Sequence, residues 1–465
     1  MSESGTAMVT TSRMPGPPPA NSIFAAYALM KAVRKDLLGL ITQSFVDHGD
    51  VFCLEVLGRK QVLAIAPAQI RELLVEHAAS FEKGFDYTDR RKGLAKFGGS
   101  GLITSNGAFW KRQRKLVAPA LHHKRIASYG QAMIDAALRV SNGWQDGQII
   151  EVDHAMMKAA LDIVARTMFD ADLAEDADRI AAATHTLHGM FEANNSVWTL
   201  LPGWFPTLQR MRENAAVRTL DEIVYRLIRE RRPDPKGPVR EGNDLASMLL
   251  SAETEDGERM SDREARDEIV TMFIAGHETA ANTLSWTFLL LAKHPEVEAK
   301  LHQELDRVLG ASHRDPTPDD CRSLLYAEAV IKESLRLYPP AFTVMRHCNA
   351  DVTLGGHLVK KGMDVSLVPY ATHRDARFFP DPLRFDPERF LGEREKTIDR
   401  YAWIPFGGGP RVCVGNAFAM METTLVLATI ASRFRLTLAD GVELVPVPGV
   451  TLRPEGPVRM GLQRR

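Results

Sequence analysis

Four cysteines in 465 residues leave little room for a disulfide framework, and Cys53, Cys321, Cys348 and Cys413 lie too far apart for a CxxC pair. That spacing argues against a structural zinc site and suits a reducing, cytoplasmic setting. Charge of one sign is equally scarce. Lys and Arg number 58 against 59 Asp and Glu, a formal net charge of -1, so no global field draws nucleic acid or an anionic membrane. Internal repeats and extended low-complexity tracts are missing, which excludes solenoids and arrays. A long apolar run free of polar residues is missing too. The nearest approach, residues 269–292, carries His277, Glu278, Thr279 and Asn282 in its middle. Those side chains are costly in lipid, so the segment reads as a buried helix of a soluble protein. Residues 1–20 are small, polar and proline-rich, with no cationic start before an apolar stretch. They are expected to be a disordered lead-in, neither signal peptide nor transmembrane anchor.

What is present is an ordinary globular composition, 45% hydrophobic and 25% charged. Such a chain can bury a large cofactor without cross-links. Length alone suggests about three domains at roughly 150 residues each, yet no linker is convincing. The Pro- and charge-rich stretch 232–244 reads as an exposed loop between helices, so residues 21–465 are expected to form a single domain. Residues 22–47 have helical periodicity, and 51–56 and 61–65 read as two strands joined by a turn at Gly58. From 67 to about 309 the pattern is nearly all helical, with loops at 98–101, 202–206 and 232–243. A helix is predicted over 323–337, stopping before Pro339-Pro340. Residues 351–369 alternate and carry Gly355-Gly356 and Lys361-Gly362, the mark of short strands and hairpins, and a last helix is predicted over 414–434. The fold class is mainly α with a minor β region.

The strongest local signal is Phe406-Gly-Gly-Gly-Pro-Arg-Val-Cys-Val-Gly415, a glycine-rich loop that presents one cysteine at the start of a helix. Unpaired N–H groups and the positive dipole end there favour a thiolate. Gly409 and Gly415 would let backbone approach the sulfur and a flat ligand closely, with Phe406 as a shield and Arg411 as a nearby cation. A buried structural cysteine is the plain alternative. A phosphate loop is another, although no Gly-Lys-Ser/Thr follows. A second signal, Ala275-Gly276-His277-Glu278-Thr279, sits in the long apolar helix opened by the capping-box pattern Ser261-Asp-Arg-Glu264. Glycine and threonine are poor helix formers, and a buried acid beside a hydroxyl is costly unless satisfied or used. Bent or widened helical bonding here would hold a small ligand or water, while the alternative is a packing glycine among satisfied polar groups. Glu333-Ser-Leu-Arg336 can pair across one helix face, as surface pairs of little worth commonly do. Trp110 and Arg114, four apart in Trp110-Lys-Arg-Gln-Arg114, also share a face.

Together these motifs resemble the cytochrome P450 family from about Pro15 onward, with Phe406, Gly409, Arg411, Cys413 and Gly415 matching its cysteine signature at every fixed position. The resemblance implies the family's fold, with haem b (iron protoporphyrin IX) between a long central helix and the cysteine-loop helix. Residues 21–465 are then its single catalytic domain. It implies that Cys413 is the axial iron ligand and that Arg411, Arg346, Trp110 and Arg114 contact haem propionates. Phe406, Gly409, Gly415, Ala275 and Gly276 would border the cofactor. Thr279 and Glu278 would be the catalytic alcohol and acid that manage O2 and its protons. Glu333 and Arg336 with Arg389, from Pro387-Glu-Arg-Phe390, would form a structural network. Arg411 and the Pro-Glu-Arg-Phe motif are similar to the fatty-acid and microsomal-like branch, here as a soluble bacterial-type member. Electrons, ultimately from NAD(P)H, are expected from a separate donor, a ferredoxin or a flavodoxin or flavin reductase. The basic residues Lys111, Arg112, Lys115, His122, His123, Lys124 and Arg125 would dock it.

By the same resemblance the pocket lies under 81–101, 190–205, the helix face before Thr279, 341–345 and the segment around Gly449-Val-Thr451. Its candidates are Phe81, Phe191, Trp198, Leu200, Leu201, Trp204, Phe273, Phe342 and Val344, an apolar set suited to a fatty acid or a terpenoid or steroid-like molecule. The expected activity is that of a haem-thiolate monooxygenase. A haem-thiolate peroxygenase or isomerase, and a non-catalytic haem sensor, remain as other classes.

Overall fold

The turn expected at Gly58 opens a sheet. Strands β1 (Val51–Val56) and β2 (Arg59–Ala64) are joined by Leu57 and Gly58, both at positive φ (48° and 78°), the two-residue geometry whose twist suits a hairpin. The computed structural model describes residues 14–91, 93–170, 207–234, 237–240, 242, 244–253, 257–310 and 314–465, with 176, 179, 180, 182, 183 and 186. The chain forms two compact units. The first comprises Met1–Phe85, Ala341–Arg384 and Lys396–Cys413; the second comprises Asp86–Pro340, Phe385–Glu395 and Val414–Arg465.

In the first unit β3 (Phe81–Glu82), β5 (Val344–Cys348) and β8 (Asp364–Leu367) complete a five-stranded sheet of order β1-β2-β8-β5-β3. Only the β2–β8 pair is parallel. One face buries Val62, Ala64, Leu73, Cys348, Val365 and Leu367. The hairpin of β6 (Val352–Leu354) and β7 (His357–Val359) turns at Gly355-Gly356, as expected. Helix α1 (Ile23–His48) starts where the Ser22 hydroxyl accepts the Ala25 N–H. The disordered lead-in needs correction for residues 15–20; residues 1–13 lie outside the described residues. Pro15 O accepts the Cys53 N–H at 2.8 Å, and the Ala20 N–H donates to Glu55 O at 2.9 Å. The open edge of β1 offers backbone partners that composition does not reveal.

The second unit carries α2 (Gly107–Val117), α3 (His123–Ser141), α4 (Val152–Phe169), α5 (Leu208–Arg231), α6 (Leu245–Ser251), α7 (Asp262–Lys293), α8 (Pro295–Leu309), α9 (Leu325–Leu337) and α10 (Asn416–Ala431). The capping box is formed: the Glu264 N–H donates to the Ser261 hydroxyl, and Glu264 accepts the Ser261 N–H. Helix α7 is buried on nearly every side from Ala265 to Leu291, which explains its apolar composition all round. Among the described residues no helix is long and apolar enough to cross a membrane. The predicted last helix is shorter than expected. It ends at Ala431; a turn at 432–433 follows, and Phe434 opens β9 (Phe434–Leu438) in a sheet of order β4-β12-β9 with β4 (Ile149–Glu151) and β12 (Arg459–Arg464). A hairpin of β10 (Pro446–Pro448) and β11 (Leu452–Pro454) stands beside it in sequence. The stretch 232–244 is less exposed than expected at its ends, where buried Arg232 reaches Asp262 and buried Arg231 reaches Asp244.

Candidate active site

The cysteine loop is a folded object in its own right. Gly407 (φ 68°) and Gly409 (φ 65°) take left-handed turns, and the Cys413 N–H closes back on Phe406 O at 2.9 Å. A Cβ on Gly409 would sit 1.9 Å from Leu74 O. Close approach to the Glu72–Glu76 turn therefore demands that glycine, as well as any ligand above it. Trp403 packs edge-on to Phe406. Buried His373 accepts the Ile404 N–H at 2.9 Å and so anchors the strand of chain that enters the loop. Helix α10 begins three positions after Cys413, later than expected, with Gly415 as its N-cap.

Cys413 is the exposed cysteine of the four; Cys348 is buried, and Cys53 and Cys321 are half-buried. Burial pushes the Cys321 thiol up to about 11 and raises Cys348 as well, so neither is a good thiolate donor. In the same unit Lys83, Arg346 and Arg411 gather their charges. Burial first, then the positive charges of Arg346 and Arg411, hold the Lys83 ammonium well below its usual range. Sequence reading found the two arginines and missed Lys83, which lies in a segment with no motif.

In the second unit α7 stays a regular helix through Ala275–Thr279, without the widening considered from sequence. The Thr279 hydroxyl donates to Ala275 O at 2.7 Å, and Thr283 repeats the pattern onto Thr279 O at 2.8 Å. Within the buried stretch 265–291, Ala275, Gly276 and Thr279 alone keep partial exposure. Gly276 has a packing reason as well, since a Cβ there would meet Val164 Cγ2 of α4 at 3.0 Å. Glu278 is buried, and one of its oxygens accepts the hydroxyl of Thr451. The Asn282 amide donates to Thr451 Oγ1 at 2.9 Å. An amide N–H can only donate, so the Thr451 proton must point to Glu278. Thr451 and Asn282 escaped sequence reading as polar partners because their contacts span 173 and 169 residues.

Glu333 and Arg336 form a two-pronged pair at 2.7 and 2.8 Å, and both side chains are 0% exposed. Glu333 also accepts the Asp386 N–H at 2.9 Å and lies 3.4 Å from Arg389. The pair is thus a buried network rather than a surface feature. Trp110 is buried on α2, with Arg114 one turn on. Arg112, expected among the residues that dock the electron donor, pairs instead with Glu264 at 2.8 Å.

The pocket candidates fare differently. Phe81 is part of the sheet core, Phe273 stacks on Phe169, and Phe342 is buried, while Val344 packs against that core. They are core side chains first. Phe191, Trp198, Leu200, Leu201 and Trp204 lie outside the described residues.

A porphyrin with two carboxylates needs a soft ligand, cations, and backbone free of bulky side chains. Cys413 is an exposed sulfur with the cations Arg346 and Arg411 in its unit. Ala275, Gly276 and Thr279 give the second unit a small-residue stripe, and beyond its neighbours along the chain a Cβ on Gly415 would meet no described residue within 4 Å. The residues present fit haem.

Residues 15–460 match the family model described as Cytochrome P450. Cyclooctatin synthase of Streptomyces melanosporofaciens is 36% identical, covering 95% of this chain and 94% of its own. Pentalenene oxygenase of Streptomyces avermitilis is 34% identical over 90% of this chain and 91% of its own. Among solved structures, the haem domain of cytochrome P450DA superposes with a TM-score of 0.82 at 26% identity, covering 98% of both chains.

Proposed function

The chain belongs to the cytochrome P450 family and is a monooxygenase with haem as its cofactor, and from that premise we propose that it inserts one atom of O2 into a terpenoid. The observation that carries the chemistry is the buried chain Asn282–Thr451–Glu278, whose acid directly precedes in sequence Thr279 on the partly exposed stripe of α7. A peroxygenase or an isomerase has no need of an acid held this way beside an alcohol. Terpenoid is favoured over fatty acid by the relatives named for cyclooctatin and pentalenene.

In this reading Cys413 Sγ is the iron ligand. Arg346, Arg411, Lys83, Trp110 and Arg114 hold the carboxylates, with Phe406, Gly409, Gly415, Ala275 and Gly276 as the close backbone and ring contacts. Bound haem supplies the iron that activates O2, and a thiolate donor favours O–O cleavage. Thr279 presents a hydroxyl that exchanges its bond to Ala275 O for one to the reactants. Glu278, oriented by the Thr451 hydroxyl, delivers protons toward Thr279 and regains them from solvent. Glu333, Arg336 and Arg389 hold the fold around the site. Reducing equivalents originate in NAD(P)H and arrive through a ferredoxin or a flavin protein, and the enzyme works in the cytoplasm, where Cys413 stays reduced.

The test uses haem-loaded protein, a matched panel of terpene hydrocarbons and fatty acids of equal carbon count, and isotopically labelled O2. Terpenes should shift the haem spin state at lower concentration, and product should gain one labelled oxygen. Preference for the fatty acids overturns the substrate class, and product without label overturns the monooxygenase chemistry.

A further inference from the structure

Between the short helix Gly93–Gly98 and α2, the chain crosses α7 as a glycine-rich loop, residues 98–105. One turn of α7 grips its backbone. The Ser100 N–H donates to Asp267 Oδ2 at 2.8 Å, and the Leu102 N–H donates to Glu268 Oε2 at 3.1 Å. Arg90 closes the grip from outside, reaching Asp267 Oδ2 at 2.5 Å and Ser100 Oγ at 2.9 Å. The glycines exist for this contact. A Cβ on Gly99 (φ 55°) would lie 2.0 Å from Asp267 Oδ1, and one on Gly101 would lie 2.0 Å from Thr271 Oγ1.

The two acids hold the loop with different electrostatics. Asp267 lies between Arg90 and Arg266, whose Nη1 is 3.0 Å away. Arg266 is shared with Asp221 of α5, and the nearby Glu264 is matched by Arg112 of α2. Glu268 is fully enclosed, and its Oε1 has no hydrogen-bond partner among the described residues. Burial pushes its carboxyl up to about 8, the charges of Asp267 and Glu264 add to this, and the Leu102 N–H offsets only part of it. At neutral pH the enclosed carboxyl carries its proton.

We propose that Asp267 and Glu268 are positioning residues for the substrate, acting through the loop 98–105 that they clamp onto α7. The inference rests on the monooxygenase reading and on the family resemblance, which implies that the segment 81–101 lies over the substrate pocket. Lifting the loop breaks the Leu102–Glu268 bond and admits water, so the Glu268 O–H ionises and its proton goes to solvent. The closed loop keeps the carboxyl near 8, while the open one returns it toward the ordinary 4.5. The closed loop is therefore favoured at low pH. Opening gains up to about tenfold per pH unit between those two values, and levels off above the upper one.

Hydrogen exchange on haem-loaded protein reads this directly. Protection of the Ser100 and Leu102 amides, corrected for intrinsic exchange, should fall by nearly tenfold per pH unit until about pH 8. Glu268→Gln keeps an acceptor of the same shape and should flatten the profile. Asp267→Asn should lower Ser100 protection at every pH without flattening it. Dissociation of a bound terpene hydrocarbon should accelerate over the same pH window. An infrared carboxyl band of the unsubstituted protein that disappears near pH 8 supports the clamp even if the Gln variant fails to fold. Protection independent of pH, or a Gln variant that titrates like the parent, overturns the clamp. Protection that titrates while ligand dissociation does not overturns the positioning role and leaves the monooxygenase reading standing.

Discussion

At position 279 a hydroxyl donates to the carbonyl one turn back, and at 278 a buried acid turns toward Thr451. Removing the hydroxyl leaves the cofactor ligand and the packing in place but takes away a held proton. Thr279→Ala should retain haem and substrate binding while diverting reduced oxygen to hydrogen peroxide, read as NADH oxidised, peroxide released and product formed in one assay. Product per NADH equal to the parent would make Thr279 a packing residue. Thr451→Val should slow turnover and raise the solvent isotope effect, as Glu278→Gln should, whereas Thr451→Ser should restore both. Glu333→Ala strands buried Arg336 and should cost about 3–5 kcal/mol, seen as lost thermal stability and poor haem loading. Cys413, Thr279 and Glu333 were legible because fixed spacings within a few residues mark them. Lys83, His373 and the polar contacts of Thr451 were not, because each joins its partners from a distant segment and carries no local pattern.

At the scale of the element, α7 was legible from end to end: its capping box, its apolar length and the polar interruption at Glu278–Thr279 are all local signals. Strands β3, β4, β5 and β9–β12 were not. They run two to six residues and pair across long separations, as when β4 at Ile149–Glu151 meets β12 at Arg459–Arg464, and alternation that short is indistinguishable from loop. The glycine of Ala275-Gly276 answers to helix packing. Gly276→Val should destabilise the fold by about 1–3 kcal/mol through its clash with α4, and adding Val164→Ala should recover part of the loss in a thermal melt. Additive losses in the double variant would place the strain elsewhere.

For the whole molecule the near-zero net charge leaves partner choice to local patches. Arg112 is committed to Glu264, so an electron donor would rest on the exposed Lys111 and Lys115 of α2 instead. Lys111→Glu with Lys115→Glu should slow reduction by an acidic ferredoxin, more at low salt than at high; rates indifferent to both changes would clear this face. The measurement that bears most directly on the enzyme as a whole is the absorption spectrum of the reduced, carbon monoxide-bound protein, taken for the parent and for Cys413→Ser. The parent should show the red-shifted Soret band of a thiolate-ligated haem, and Cys413→Ser should lose that band together with product formation, since serine offers no soft electron-donating ligand. A parent band at the position of nitrogen-ligated haem, or a serine variant that keeps the thiolate band, would contradict Cys413 as the iron ligand.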